Sequence, residues 1–225
     1  TDFPVLISGV YAFLKTVANG GDVQNANGFD IVFATDSAGA SLLKWETVVY
    51  VAAAGRVEYW VKIPSLSSTV DTEIYLCYGD VAVVTDQSDP TAVWSSSFQL
   101  VHHYPNGTSL TMADSTSNAN AGSIAGTVTA AAGQIDGAAH FPDSADGLIS
   151  VPSAASLNDL TAAPMTLSFW IYFDAFNGNR NVALKKSDGD TSKGWMVWTP
   201  EQNIEFDVVH TVVNASWVSF PQPGL

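Results

Sequence analysis

Several short stretches carry residues that could do chemistry. "FPDSADGLISVP" (141–152) holds Asp143, Asp146 and Gly147 ahead of an alternating apolar run. A calcium loop of the EF-hand type needs oxygen ligands at positions 1, 3, 5 and 12, with glycine at 6. Counted from Asp143, positions 3 and 5 are Ala145 and Gly147, so that template fails. One reading is a tight turn, with both aspartates bonding local N–H groups and Gly147 taking positive φ. A second joins Asp143 or Asp146 to Asp114, from "DSTSNANAG", in a structural Ca²⁺ site, since carboxylate, amide and backbone oxygens suit a hard cation. A third is direct sugar contact. "KKSDGDTSKGW" (185–195) spaces Asp188, Asp190 and Ser192 two apart, but Lys193 stands where glycine is needed and Thr199 where glutamate is needed. A charged hairpin turn fits it better.

"NIEFDVVHT" places Glu205 and Asp207 two apart, with His210 three further on. Retaining glycoside hydrolysis needs a carboxyl pair about 5 Å apart, one of them a general acid. An imidazole at 210 is a poor substitute for that acid, so a charged outer strand face is the preferred reading. His102 and His103 in "VHHY" are neighbours, which on a strand point to opposite faces and cannot chelate one metal together. One is expected at the core edge and the other exposed. Trp170, Trp195, Trp198 and Trp217 are candidates for stacking on sugar rings, with core burial the competing use. Asn106-Gly-Thr and Asn214-Ala-Ser match glycosylation sequons.

The elements that must position these residues are mostly strands. "FPVLIS", "FDIVFA", "WETVVYV", "RVEYWVKIP" and "TEIYLCYG" alternate and are rich in β-branched and aromatic residues. In "VEYWVKI", Val57, Tyr59, Val61 and Ile63 share one face, and Glu58, Trp60 and Lys62 the other, as in a half-buried antiparallel strand. "MTLSFWIYF" does the same: Leu167, Phe169, Ile171 and Phe173 oppose Ser168, Trp170 and Tyr172. Residues 10–18 have room for one or two helical turns. No long amphipathic helix is evident. The fold class is therefore all-β, with two β-sandwich domains, 1–95 and 96–225, divided near the polar "TDQSDPTAVW".

Composition narrows the function classes. The 225 residues suffice for one large or two small β domains. Eight Lys+Arg against 22 Asp+Glu give −14, which repels nucleic acid and anionic lipid. Neither nucleic acid binding nor membrane insertion is expected; no run is long enough to span a bilayer. The lone Cys77 permits no internal disulfide and reads as a buried strand thiol. The chain opens on a strand without an initiator Met or signal peptide, as expected of a processed or truncated N-terminus.

Residues 98–220 resemble the first part of a laminin-G-like, concanavalin A-like jelly roll. The resemblance rests on "FQLVHHYPNG", "DSTSNANAGSIAGTV" and "GQIDGAAHFPDSADGLISVPSAASLNDLTAAPMTLSFWIYFD". Residues 1–95 resemble a bacterial domain of unknown function that often precedes such jelly rolls, carried by "TDFPVLIS", "FDIVFATDSAG", "VEYWVKIPSLSS" and "TEIYLCYGD". The resemblance implies a secreted, cell-surface or particle-surface module for adhesion, carbohydrate contact or assembly into a filament, envelope or virion. Expected partners are glycans, neighbouring surface proteins or further copies of the chain, as a homo-oligomer or polymer. Calcium is the one cofactor it implies, bound at a rim as in some members of this superfamily. The runner-up is a polysaccharide hydrolase or a fragment of one. Glucanases of the same superfamily use a Glu-x-Asp-x-(x)-Glu strand, which Glu205 and Asp207 match and His210 breaks. The family pattern continues beyond "SWVSFPQPGL" and begins before "TDFPVL". The apolar faces of "MTLSFWIYF" and "GWMVW" are therefore expected to need a facing sheet from a longer chain or a neighbouring subunit.

Overall fold

The structure, a computed structural model, describes residues 2–105, 109–142, 146–158, 165–174, 180–187, 190–199, 203–209 and 215–221. Strand accounts for 33% of the chain and helix for 8%, which places it in the all-β class. The strands are β1 (Phe3–Val10), β2 (Val32–Ala34), β3 (Lys44–Val51), β4 (Arg56–Ile63), β5 (Tyr75–Cys77), β6 (Ser123–Gly126), β7 (Thr129–Ala132), β8 (Gly137–His140), β9 (Gly147–Ser150), β10 (Arg180–Ser187), β11 (Asp190–Thr199), β12 (Asn203–Val209) and β13 (Ala215–Pro221). The one-turn helix α1 spans Pro90–Val93, with Pro90 at its first position, where a missing N–H costs nothing. The chain forms two compact units, Thr1–Ser156 and Leu157–Leu225.

In the first unit, β4 is the central strand of an antiparallel sheet ordered β1-β4-β3. Val57, Tyr59, Val61 and Ile63 point into the core and are at most 3% exposed. Phe33 of β2 meets Tyr59 edge-on at 5.1 Å and Trp45 of β3 at 5.9 Å. Leu14, Val23, Ile31 and Leu43 complete this cluster. Fully burying each such side chain contributes roughly 1.5–3 kcal/mol. The expected turns in residues 10–18 are two short 3-10 turns, Ala12–Leu14 and Val17–Asn19. β2 pairs with β5, where Cys77 sits half-buried opposite Val32. Among the described residues, no helix is long and apolar enough to cross a membrane.

The second face of β4 departs from its expected polar character. Glu58 is 6% exposed, and Trp60 packs on Trp94 with ring centroids 5.3 Å apart. The cover comes from residues after α1: Trp94 and His103 pack on Trp60 and on each other, and Phe98 meets Trp94 edge-on. The expected boundary at 95/96 therefore lies inside the first unit. Arg56 adds a second tie, reaching Asp136 in the turn between β7 and β8 at 2.7 Å and Glu58 at 3.2 Å. The antiparallel pair β6–β9 and the hairpin β7–β8, which lies between them in the chain, occupy the later part of the unit.

The second unit contains an antiparallel meander ordered β10-β11-β12-β13. Val197 of β11 is buried. "MTLSFWIYF" is not the half-buried strand its alternation predicts. Residues 165–174 belong to no ladder among the described residues, and Leu167, Phe169 and Ile171 are 39–45% exposed. Alternation defines a face, but only a facing layer buries it.

Candidate functional site

A buried polar cluster is centred on Glu46. β3 is covered on both faces: Trp45 enters the core, and Glu46, opposite Trp60 of β4, lies under the residues that follow α1. Trp94 donates its indole N–H to Glu46 Oε2 at 2.8 Å. His103 Nε2 lies 3.2 Å from the same oxygen, and the Ser115 hydroxyl donates to Oε1. Glu46 is only 6% exposed. Burial pushes its carboxyl up, but the bonds from His103, Ser115 and Trp94, with the attraction of His103, hold it below its ordinary value.

This geometry is not a nucleophile–base relay. A catalytic serine hands its proton to a histidine that a third group orients. Here Ser115 and His103 both address the carboxylate, and a carboxylate held below its normal pKa is a weak base. The adjoining cleft, lined by Glu46, Thr47, His103, Thr111 and Ser115, has a volume of about 150 Å³. Drug-sized ligand pockets run to ~300–1,000 Å³. The cluster acts as a tie between β3 and the 94–115 segment.

Asp114 begins the "DSTSNANAG" loop. Its Oδ1 accepts from the backbone N–H of Val101 and Thr116, both at 3.0 Å. Its Oδ2 accepts from the Thr116 hydroxyl and the Asn120 N–H, both at 2.8 Å. Burial raises its carboxyl, and these bonds outweigh it, so the net shift is downward. Asp30 and Asp36 repeat the device. Buried Asp30 receives the N–H groups of Gln24, Asn25 and Gly79. Half-buried Asp36 receives those of Ala40, Ser41 and Ala38, which lower its pKa.

Of the residues proposed for calcium, Asp114 is occupied in this way. Asp146 is exposed at the start of β9, and its carbonyl accepts from Thr127 N–H at 2.9 Å. Asp143 lies outside the described residues. Among the described residues no three His, Cys, Asp or Glu side chains converge. His102 and His103 do not divide into a buried and an exposed residue: both are half-buried. His102 Nε2 sits 3.2 Å from the Asn120 carbonyl, and burial lowers its pKa. The covering segment explains this, since it packs on both sides.

Trp170 is 74% exposed and Tyr172 86% exposed. Trp195 and Trp198 lie on β11, opposite Val208 and Glu205 of β12; the surroundings of their side chains lie outside the described residues. Glu205 and Asp207 lie on β12 opposite Ser219 and Trp217 of β13. His210, Asp188 and both sequon asparagines, Asn106 and Asn214, lie outside the described residues. Sequence reasoning missed Glu46, Trp94 and Ser115. The one available signal was a lone carboxylate in the apolar run "WETVVYV". Comparison of the chain with protein-family models, with curated proteins and with solved structures returned no match.

Proposed function

We propose that the chain is a non-enzymatic, surface-exposed extracellular module that makes adhesive contact with carbohydrate, built as two β-sandwiches of which the second is a concanavalin A-like jelly roll. The observation that carries this reading is the pair Trp170 and Tyr172. They stand two residues apart and are the most exposed aromatic side chains among the described residues. We take the segment to run extended, which would set rings two residues apart on one face. Contiguous exposed apolar surface of this kind marks interaction sites. The flat C–H face of a pyranose is a natural partner for an aromatic ring, and the polar edge of Tyr172 can bond a sugar hydroxyl. The saturated hydrogen bonding of the Glu46 cluster agrees with a role in stability rather than turnover.

The test is a glycan array probed with the whole chain and with the Trp170→Ala/Tyr172→Ala double variant. Saturable binding that weakens at least tenfold in the variant supports the reading. Silence across the array overturns the carbohydrate contact and turns attention to assembly with further copies or neighbouring surface proteins.

A further inference from the structure

Where the β7–β8 turn meets β4, two buried carboxylates share one guanidinium. Glu58 and Asp136 are 6% and 8% exposed. Arg56 Nη2 donates to Asp136 Oδ1 at 2.7 Å, and Nη1 donates to Glu58 Oε1 at 3.2 Å. With both acids ionised the three groups carry one net negative charge. Glu58 Oε2 is buried and has no hydrogen-bond partner among the described residues. Buried Asp30 and Asp114, by contrast, accept bonds on both oxygens. An unpartnered oxygen costs far less on a neutral carboxyl than on an anion.

Among the described residues, the other charges near this face are already engaged. Ser8 of β1 and Val49 of β3 stand opposite Glu58 and carry no charge. Lys62, further along β4, pairs with Asp2 at 3.4 Å. Glu46 of β3 takes the bonds of Trp94, His103 and Ser115, and His102 lies against the Asn120 carbonyl. The turn itself is strained. Asp136 sits at φ +53°, the left-handed region that a side chain adopts at a cost. Its carbonyl closes the turn by accepting from Gly133 N–H at 3.1 Å. Its side chain is tied to Arg56 and its N–H to the Glu58 carboxyl. A strained turn is thus fastened to β4 through a charge set that balances in only one protonation state.

We propose that Arg56, Glu58 and Asp136 form a proton-operated latch: with Glu58 neutral, Arg56 pairs one-to-one with Asp136 and the β7–β8 turn stays on β4; with Glu58 ionised, the turn detaches and both carboxylates reach solvent. Linkage sets the direction. Burial raises the Glu58 pKa above its ordinary 4.5, Arg56 opposes the rise, and the charge of Asp136 adds to it. The closed arrangement therefore favours the proton. The latch holds below the ordinary value and weakens as pH rises through the folded pKa. The piece that moves is self-contained, since β7 and β8 pair with each other from Thr129↔His140 to Ala132↔Gly137. Local opening of such a unit costs less than unfolding the core cluster beneath β4.

The experiment is hydrogen exchange of the whole chain between pH 5 and pH 8, read by mass spectrometry as protection factors, which remove the intrinsic pH dependence of exchange. In the parent, protection across Thr129–His140 should fall at least tenfold toward pH 8, while that of β1, β3 and β4 stays within a few-fold. Glu58→Gln, neutral at every pH, should keep the high protection throughout. Asp136→Asn removes the ion pair but keeps a side chain that tolerates positive φ. It should lower protection of the hairpin at pH 5 and flatten the profile. Near-ultraviolet dichroism matching the parent should confirm that each variant is folded. A parent profile flat with pH overturns the latch, as does a fall shared equally by β1 and β3. A slope retained in Glu58→Gln or undiminished in Asp136→Asn overturns it as well.

Discussion

Truncating Glu46 to alanine should be among the costliest single changes in the first unit. It removes the acceptor for three donors at once: the Trp94 indole, the His103 imidazole and the Ser115 hydroxyl. Glu46 is 6% exposed and the His103 side chain 19%, so water replaces the lost partner poorly. Each buried donor left unpaired costs about 1–3 kcal/mol. These costs overlap and do not simply add, so the expected loss for three donors is ~3–5 kcal/mol, a large part of the ~5–15 kcal/mol that holds a typical fold. Glu46→Gln keeps the shape and, with Ser115 turned to donate or accept as needed, should lose about half as much. Urea unfolding followed by near-ultraviolet dichroism measures this as a shift of midpoint at constant slope. The pH dependence gives an independent reading. The folded pKa of Glu46 lies below its ordinary 4.5, so its stabilisation is present above that value and lost as pH falls through the folded pKa. Glu46→Ala should therefore show a shallower acid limb than the parent. A loss below about 1 kcal/mol, comparable with a surface substitution, would refute the reasoning.

Other changes test other parts of the fold. Glu58 has the opposite sign: burial raises its pKa above 4.5 despite Arg56, so its contribution favours folding below that value and is lost as pH rises through the folded pKa. Glu58→Gln should thus be more stable than the parent at pH 7 and show no gain at pH 3, as urea midpoints at the two pH values will report. Gly55→Ala should lower the melting temperature, because φ is +67° there and a Cβ would stand 2.0 Å from the Tyr11 carbonyl. Asp114→Asn should cost about 1–3 kcal/mol and speed hydrogen exchange at Val101, Thr116 and Asn120, the three amides it holds. With four donors already directed at Asp114, adding chelator should leave the melting temperature unchanged; a fall reversed by Ca²⁺ would show a cation sharing that loop.

Strand interiors were legible where one face answers to one core. The alternation of Val57, Tyr59, Val61 and Ile63 predicts their burial because β4 lies mid-sheet and its inward positions follow the pleat. The second face of the same strand was not legible. Glu58 and Trp60 look solvent-facing until residues more than thirty positions later fold across them. Glu46 shows the same limit, since its partners lie 48, 57 and 69 residues away. The alternation of "MTLSFWIYF" signals a face to be covered and says nothing of what covers it. Asp114 illustrates a different ambiguity: an aspartate among Ser, Thr and Asn suits a cation or a set of backbone N–H groups equally well, and only the loop path distinguishes them.

The aspartates at 30, 36 and 114 bear on how this sequence can drift. Each gathers three backbone N–H groups over a span set by the reach of one methylene. Glutamate preserves the charge but carries its oxygens one carbon further out, so the two acids are not synonyms there. A saturation-mutagenesis map should show it: acidic positions on open surface will accept either residue, or neither charge, while these three will admit aspartate and, less well, asparagine. The acidity of the chain is then of two kinds, one that sets its behaviour toward solvent and can wander, and one that spells the loops and is fixed in place.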